Sequence, residues 1–387
     1  MVWFGYIIPM EIGFDIRFAS RPGGGGVYVR RLLTHLVKMY PQEHWRLYYN
    51  SWCGHQRKVI QGLEEFAGDR GHIELVPVQT GVLSLRQHLE FRKVPMQGDL
   101  YHYPHFDLPL GIKGTAVVAT IHDLYPLTDK RYCSGTKRAY FHYLSKRSCK
   151  RAARIIAVSE YTKNEIIKHL AVPAEKIAVV PQSQDTGYHP IDDGEILSEL
   201  REKYKLPERF IFYTGNHKRH KNLARLLEAY SRLKPPLRQA YKLVITGGIT
   251  RETEQLKVQA MQLGIEKEVH FTGWVRGDDL AGLYNLASLV VLPSLYEGFG
   301  YTTLEAMACG KPVVCSKGGA IPEVVGAQGQ MFDPYNTEQM SERITEALEK
   351  DVDNPEVRKK MLEQSGKFSP QQTARMTYEV YKEVASY

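Results

Sequence analysis

The sequence predicts an α/β protein made of two Rossmann-like β/α/β domains, each a doubly wound parallel sheet, facing each other across a cleft. Three observations carry this expectation. Short apolar runs rich in β-branched residues alternate with amphipathic helical patterns, as strands buried on both faces of a sheet require. The alternation occurs twice, in two series of similar size separated by the polar, turn-rich stretch QSQDTGYHPIDDGE. The 387 residues are 43% apolar and 24% charged, enough for two or three domains with sizeable cores.

In the first series EIGFDI reads as a strand, followed by a Gly-rich loop and the helix VYVRRLLTHLVKMY. WRLYYN, IELVPV, DLYHYP and TAVVATIHD are further short strands. RIIAVS and KIAVVP enclose the helix TKNEIIKHL. The second series runs FIFYTG, helix NLARLLEAYSRL, KLVITGG, helix EQLKVQAMQLG, EVHFTG, helix DDLAGLYNLA, SLVVLPS, helix TTLEAMACG and PVVCSKGG. A helix over about residues 370–385 closes the chain. The domains are expected over residues 1–187 and 188–369, with ligands at the carboxyl ends of the strands.

The same composition excludes dominant disorder and collagen-like or disulfide-scaffold classes. No run of about 18 apolar residues occurs, so no transmembrane helix is expected. No short repeat period points to a solenoid. Five cysteines, odd in number and without C-x-x-C spacing, read as free thiols in a reducing cytosol. MVWFGYIIPM lacks a basic n-region and a cleavage site, and residues 1–9 read as an upstream extension before a first strand at MEIGFDIR.

Net charge is +8, and residues 1–185 carry all of it, with 25 basic and 16 acidic side chains. That half therefore favours an anionic partner. Residues 130–154 hold nine basic residues and no acid, interleaved with Tyr132, Tyr140, Phe141 and Tyr143. Such a stretch is either a solvated basic face or a contact for an anionic membrane or lipid phosphate. No nucleic-acid-reading motif accompanies it.

The segment SLYEGFGYTTLEAMACG, Ser294 to Gly310, follows an apolar strand and opens a helix at Tyr301. A Gly-containing turn feeding a helix N-terminus is an anion site, because unpaired N–H groups and the helix dipole meet there. Glu297 lies in the turn and Glu305 one turn into the helix. Carboxylates so placed beside an anion site can accept from vicinal hydroxyls. The plain alternative is a turn glutamate plus a helix glutamate favoured by the dipole. The Gly–Phe–Gly turn weighs against it.

EGFG-x₃-LEAMACGKPVV, followed by GGAIPEVVG, resembles the signature of family-four retaining glycosyltransferases with the GT-B fold. Asp15 and Arg17 with RPGGGGVY, then TIHDLYP, IIAVSEYTKNEI, FYTGNHKRHKN and FTGWV, occur in that family's order, and the resemblance spans nearly the whole chain. HYPHFDLP before TIHDLYP is similar to the branch that uses GDP-mannose or related GDP-sugars in polysaccharide assembly. The resemblance implies an N-terminal acceptor domain, onto which the C-terminal helix 370–387 packs back, and a C-terminal nucleotide-sugar domain.

It also implies roles. The Gly23–Gly26 loop, with Gly25 and Gly26, faces the diphosphate and acceptor; its plain alternative is a flexible connector, and it is not a G-x-G-x-x-G fingerprint. Lys221 is the phosphate lysine; positions where many relatives carry arginine are Asn216 and His220, so Lys218 or Arg219 is the candidate second cation. His122 points toward the sugar near the reacting centre, unless it and Asp123 are structural. Gly215, Phe299, Gly300, Tyr301, Thr302, Glu305, Gly273 and Val275 line the nucleotide sugar, with base selection by backbone near Gly273–Val275. Glu323 in AIPEVVG is structural.

The expected function is transfer of a hexosyl unit, mannose-type favoured, from a GDP-sugar to a hydroxyl of a glycan or lipid-linked acceptor. The anomeric configuration is retained by same-face attack, with Glu297 binding sugar hydroxyls. No metal or other cofactor is expected: H-E-x-x-H is absent, and Asp351–Asp353 sits among polar residues. The place of action is cytoplasmic, at the inner membrane face. The alternatives are a UDP-sugar donor, a GT-B nucleotide-sugar epimerase, and a non-catalytic nucleotide-sugar-binding protein.

Overall fold

The computed structural model describes residues 9–21, 23–51, 53, 60–61, 72–130, 133–184, 186–350 and 352–385. Most of the expected upstream extension, together with Tyr132 and Asp351, lies outside the described residues. The chain divides into two compact units, Met1–Ser183 with Ser369–Tyr387, and Gln184–Phe368.

The first unit is built on seven strands: β1 (Glu11–Asp15), β2 (His44–Asn50), β3 (His72–Val78), β4 (Leu100–Tyr103), β5 (Ala116–Ile121), β6 (Arg154–Ala157) and β7 (Ile177–Val179). All pairs are parallel, in the order β3-β2-β1-β4-β5-β6-β7. The second unit has six parallel strands in the order β10-β9-β8-β11-β12-β13. These are β8 (Phe210–Thr214), β9 (Lys242–Thr246), β10 (Val269–Gly273), β11 (Leu289–Leu292), β12 (Val313–Ser316) and β13 (Gln330–Phe332). Central strands such as β4, β11 and β12 are buried at every position. Helices cover both faces of such a sheet, which is why their sequences read as unbroken apolar runs.

Helix α1 (Gly24–Met39) buries Tyr28, Val29, Leu32, Leu33, Leu36 and Val37, the helical stripe that the sequence shows. The basic stretch forms α2 (Gly135–Arg151), and α3 (Glu160–Leu170) starts where the Ser159 side chain accepts from Thr162 N. Gly13 inside β1 has a specific cause. A Cβ there would lie 3.1 Å from both Tyr48 and Tyr101, whose rings pack edge-on at 5.0 Å.

The expected glycine loop is corrected by the structure. Gly24, Gly25 and Gly26 form the first turn of α1 rather than a loop before it, and of the four glycines Gly23 alone takes a left-handed φ, +95°. Gly26 is required for a different reason: the turn Phe18–Arg21 folds back over the helix start, and a Cβ on Gly26 would sit 2.0 Å from Arg21 O. A Cβ on Gly25 would meet nothing within 4 Å.

The second unit adds elements that the sequence reading left unassigned. Among them are α4 (Gly194–Lys203), β13, α9 (Thr337–Lys350) and α10 (Pro355–Gly366). Between them lie the expected α5 (Leu223–Ser231), α6 (Arg251–Gln262), α7 (Gly277–Leu286) and α8 (Tyr301–Ala308). The last helix, α11 (Pro370–Ala385), returns to the first unit and packs against α1 and β5. Its Tyr381 Oη lies 2.6 Å from His102 Nδ1, Tyr378 Oη donates to Glu43 Oε1 at 2.5 Å, and Thr373 Oγ1 donates to Pro181 O at 2.9 Å. All five cysteines are free thiols.

Burial pushes the fully buried His102 down to about 3, with nearby His122 adding to the effect. The folded chain keeps this imidazole neutral while the unfolded chain protonates it below about pH 6.5, so stability is lost as pH falls from there toward the folded value. At pH 5 His102 alone removes about 2 kcal/mol. The melting temperature should therefore fall between pH 7.5 and 5, and by less in His102→Gln; a flat profile in the wild type would contradict this. Glycine substitutions should separate just as clearly. Gly26→Ala is expected to cost about 2–3 kcal/mol by urea unfolding. Gly25→Ala is expected to be neutral, or stabilising by up to about 1 kcal/mol. Equal effects at the two positions would mean that the Arg21 contact is not what demands Gly26.

Candidate functional site

In the second unit the strand order reverses between β8 and β11. Loops leaving two such strands part in opposite directions and leave a crevice at their carboxyl ends. Here the two loops are tied together. Leu295 N donates to His220 O at 2.7 Å. Lys221 Nζ donates to Glu297 Oε1 at 2.5 Å, and Ser294 Oγ donates to the same oxygen at 2.6 Å. Asn222, in the left-handed region at φ +63°, caps the start of α5 and gives its Nδ2 hydrogens to Pro293 O and Pro334 O.

The pair is largely withdrawn from solvent, with 15% of the Lys221 side chain and 17% of the Glu297 side chain exposed. Burial works to raise the Glu297 pKa, but the Lys221 charge and the two hydrogen bonds outweigh it and hold the carboxyl below its ordinary range. Burial, aided by Lys221, pushes His220 down to about 4, so its ring is neutral near pH 7. Lys218 and Arg219 are exposed on the same loop.

A third loop fixes the backbone of Glu297 from behind. Ala320 N donates to Glu297 O at 2.9 Å, and Ser316 Oγ donates to Ser294 O at 2.5 Å. A Cβ on Gly319, itself at φ +65°, would lie 2.2 Å from Glu297 O, and one on Gly318 would lie 2.4 Å from Ser294 O. These two glycines are a condition for the site. The sequence displays them in KGGA after a strand, and a strand followed by paired glycines is the signal that could have found them.

Gly215, Gly247 and Gly273 end β8, β9 and β10 with left-handed φ values of +144°, +146° and +74°. A Cβ on Gly247 would lie 2.2 Å from Gly215 O, and Gly247 N donates to Gly273 O at 3.0 Å. The three strand ends thus close on one another with bare backbone. Val275 beyond them is buried, whereas Trp274 is 69% exposed.

Helix α8 begins after Gly300, at φ +115°, with no acid in its first turn and no side-chain cap, so Tyr301 and Thr302 open the positive end of the helix dipole. The Phe299 side chain is buried edge-on against Tyr301 and Phe368, which gives it a packing role here. Glu305 Oε2 accepts from the buried Tyr284 hydroxyl at 2.9 Å. Glu323 lies in the short helix Ile321–Val325, with Pro322 in its first turn.

In the first unit His122 follows β5, and both its ring nitrogens are engaged by the chain. Nε2 lies 3.0 Å from Pro104 O and Nδ1 lies 2.8 Å from Gln182 Nε2. Burial and nearby His105 push it down to about 4, so the neutral ring donates from Nε2 and accepts at Nδ1. Its neighbour Asp123 accepts from Tyr125 N at 3.2 Å.

Two arrangements around the switch point of this unit, between β1 and β4, escaped the sequence reading. Arg17 binds Asp15 through Nε and Nη2 at 2.7–3.0 Å with both side chains fully buried, and Tyr101 Oη donates to Asp15 at 2.6 Å. Burial opposes the Arg17 charge, but Asp15 outweighs it and the guanidinium stays charged. Asp107, buried and held below the usual carboxylate range, accepts from His105, Gln87, Tyr103 and Leu83 N. The His105 ring stacks on Phe18 at 4.3 Å. The motif HFD carried this signal. Among the described residues no group of three or more His, Cys, Asp or Glu side chains is placed to hold a metal.

Comparison with known proteins agrees with this architecture. Residues 198–368 match the family described as glycosyl transferases group 1, and residues 22–187 match glycosyltransferase family 4. The O-antigen chain mannosyltransferase B of Escherichia coli is 33% identical over 285 residues, 73% of this chain and 74% of that protein. The serotype-specific mannosyltransferase WbdA of E. coli is 33% identical over 263 residues, 67% of this chain. The match covers only 32% of WbdA, so this chain corresponds to about a third of that longer relative. Among solved structures, Anabaena HepE in complex with UDP superposes with a TM-score of 0.72 at 20% identity, over 97% of this chain and all of the other. Two parallel doubly wound units, the two family matches in chain order, and a relative aligned over three-quarters of its length lead to one assignment: the chain belongs to glycosyltransferase family 4, with the GT-B fold.

Proposed function

We propose that the protein is a retaining, metal-independent glycosyltransferase that moves a mannose-type hexosyl unit from a GDP-sugar to a hydroxyl of a glycan or lipid-linked acceptor. The observation that carries the reading is the Lys221–Glu297 contact at 2.5 Å, at the carboxyl end of the sheet that also supplies the uncapped start of α8. A leaving nucleoside diphosphate gains charge as the anomeric C–O bond breaks. A lysine ammonium and amides fixed beforehand stabilise that charge without reorganising. Glu297, ionised and held by Ser294 and the Gly318–Gly319 loop, accepts from sugar hydroxyls. Glu305 serves the ribose, with Tyr284 fixing one of its oxygens. Gly215, Gly273 and Val275 offer backbone to the nucleotide, His122 stands by the transferred sugar near the reacting centre, and Gly25 and Gly26 serve the diphosphate and the acceptor.

Same-face attack fits this set: the departing phosphate oxygen takes the acceptor proton, and no carboxylate is needed as a nucleophile. The mannosyltransferases among the relatives favour a GDP-sugar; the UDP bound to HepE favours the second reading, a UDP-sugar donor. The basic α2 favours action at the inner face of a membrane, on the cytoplasmic side. No described helix is long and apolar enough to cross one.

A thermal-shift panel of GDP, UDP and ADP identifies the base, since a ligand present at ~100 times its Kd adds about 2.7 kcal/mol to stability. GDP is expected to give the largest shift, and no response to any nucleotide would overturn the reading. With GDP-mannose, turnover is expected to continue in chelator and to fall ~100-fold or more in Lys221→Ala. In Glu297→Ala turnover should fall similarly while GDP binding persists. Turnover lost in chelator and restored by manganese would refute the metal-independent mechanism.

A further inference from the structure

The first unit presents one imidazole in a way that packing alone does not require. His105 follows β4, one of the two strands between which that sheet reverses its order. Its ring stacks on Phe18 at 4.3 Å, and Phe106 flanks it at 4.4 Å. Its Nδ1 lies 2.6 Å from Asp107 Oδ1. That carboxylate is well supplied with other donors: Tyr103 Oη also reaches Oδ1, and Gln87 Nε2 and Leu83 N reach Oδ2. Burial works to raise the Asp107 pKa, but His105 and the hydrogen bonds outweigh it, so the carboxyl is ionised and can only accept. The shared proton therefore sits on Nδ1, and in the neutral ring Nε2 carries a lone pair. Nε2 has no partner among the described residues, and 19% of the side chain is exposed. The neighbouring His102 and His122, by contrast, have both ring nitrogens engaged by the chain.

We propose that His105 determines acceptor specificity: its Nε2 accepts a hydrogen bond from a hydroxyl of the acceptor sugar beside the one that attacks. On the glycosyl-transfer reading above, which this inference requires, His122 stands by the transferred sugar and Gly26 by the acceptor. The His105 ring is close to both. Its centroid is 6.4 Å from that of His122, and Phe18, on which it stacks, belongs to the turn that closes on Gly26. A lone pair backed by a carboxylate disfavours an anion and selects a hydroxyl, which is what a glycan offers. The attacking hydroxyl gives its proton to the departing phosphate oxygen, so the one held by His105 is a neighbour that does not react. Holding that neighbour fixes which hydroxyl of the acceptor ring meets the anomeric carbon. Asp107 acts through His105 as a positioning residue, setting the tautomer and the angle of the ring. A ring fixed by edge and face has little freedom left to lose on binding.

In protein labelled at histidine, the Cε1–Hε1 NMR signal of His105 is assigned by its loss in His105→Asn. Methyl glycosides of mannose, N-acetylglucosamine, galactose and rhamnose are titrated in the presence of saturating GDP, and at least one is expected to shift that signal. Asparagine can keep a hydrogen bond to Asp107 but does not reach the place of Nε2; glutamine does. By calorimetry, His105→Asn is expected to weaken binding of the responding glycoside about 3- to 10-fold, the worth of one hydrogen bond, and His105→Gln to recover part of the loss. The thermal shift by GDP should be the same in all three proteins. A ring that merely latched its loop would tolerate asparagine. Monodeoxy versions of the glycoside then locate the partner hydroxyl. One deoxygenation should weaken binding to the wild type and cost nothing further in His105→Asn. It should lie at a position other than the one glycosylated, read from the product formed with GDP-mannose. Four results overturn the proposal: no shift of the His105 signal by any glycoside, unchanged binding in His105→Asn, no glycosylation of the responding glycoside, or a partner hydroxyl that is itself the one attacked. If GDP still raises the melting temperature, the first two and the last leave the glycosyl-transfer reading standing. A protein that responds to no nucleotide loses that reading, and this inference with it.

Discussion

The candidate site depends on one contact across the switch point of the second sheet. Lys221 leaves β8 on one side and Glu297 leaves β11 on the other, and the two side chains meet at 2.5 Å. Burial at that depth works against the Glu297 carboxylate. The ammonium holds the carboxyl ionised against burial, and the carboxylate partly satisfies the ammonium. The surrounding backbone is shaped to let this happen. Gly318 and Gly319 allow a third loop to close behind Glu297, and Gly215, Gly247 and Gly273 allow three neighbouring strands to end in bare peptide. A β-carbon at any of the tightest of these positions would push against backbone, and only the far end of a flexible side chain yields cheaply.

Much of this was legible in the sequence. The alternation of short apolar runs with amphipathic helices fixes parallel sheets because only strands covered on both faces can be apolar at every position, as Leu289–Leu292 is. The turn around Glu297 and the helix start at Tyr301 were legible because a glycine turn between a buried strand and a helix has few other uses. What stayed hidden depends on tertiary approach. Nothing in RPGGGG tells that three of its glycines begin a helix, because the demand on Gly26 comes from Arg21 O folding back over it. The pairing of Lys221 with Glu297 joins residues 76 positions apart through strand order, which local pattern does not encode. His122 was legible as a residue at a strand end, but its engagement by Pro104 and Gln182 was not.

The first unit handles its buried polar groups differently. Asp15 with Arg17, Asp107 with His105, and His102 with Tyr381 and Thr120 are each nearly complete in hydrogen bonding. Such networks fix side-chain positions firmly, because any displacement leaves a polar group without a partner in a low-dielectric interior. Phe18 and His105 are consequently held in register at the ends of β1 and β4, the two strands between which that sheet reverses its order.

The course of the chain has a consequence for how the molecule is made. The second unit, Gln184–Phe368, is an insertion within the first, and α11 supplies Tyr378 and Tyr381 to a core otherwise complete by Ser183. During synthesis the inserted unit can fold while the first still waits for α11, leaving the groove over α1 and β5 uncovered until residues 370–385 emerge from the ribosome. Of the two units the one that starts earlier in the chain is thus completed after the other, and a nascent chain halted before residue 370 would carry one finished body and one with an open apolar face that chaperones can grip.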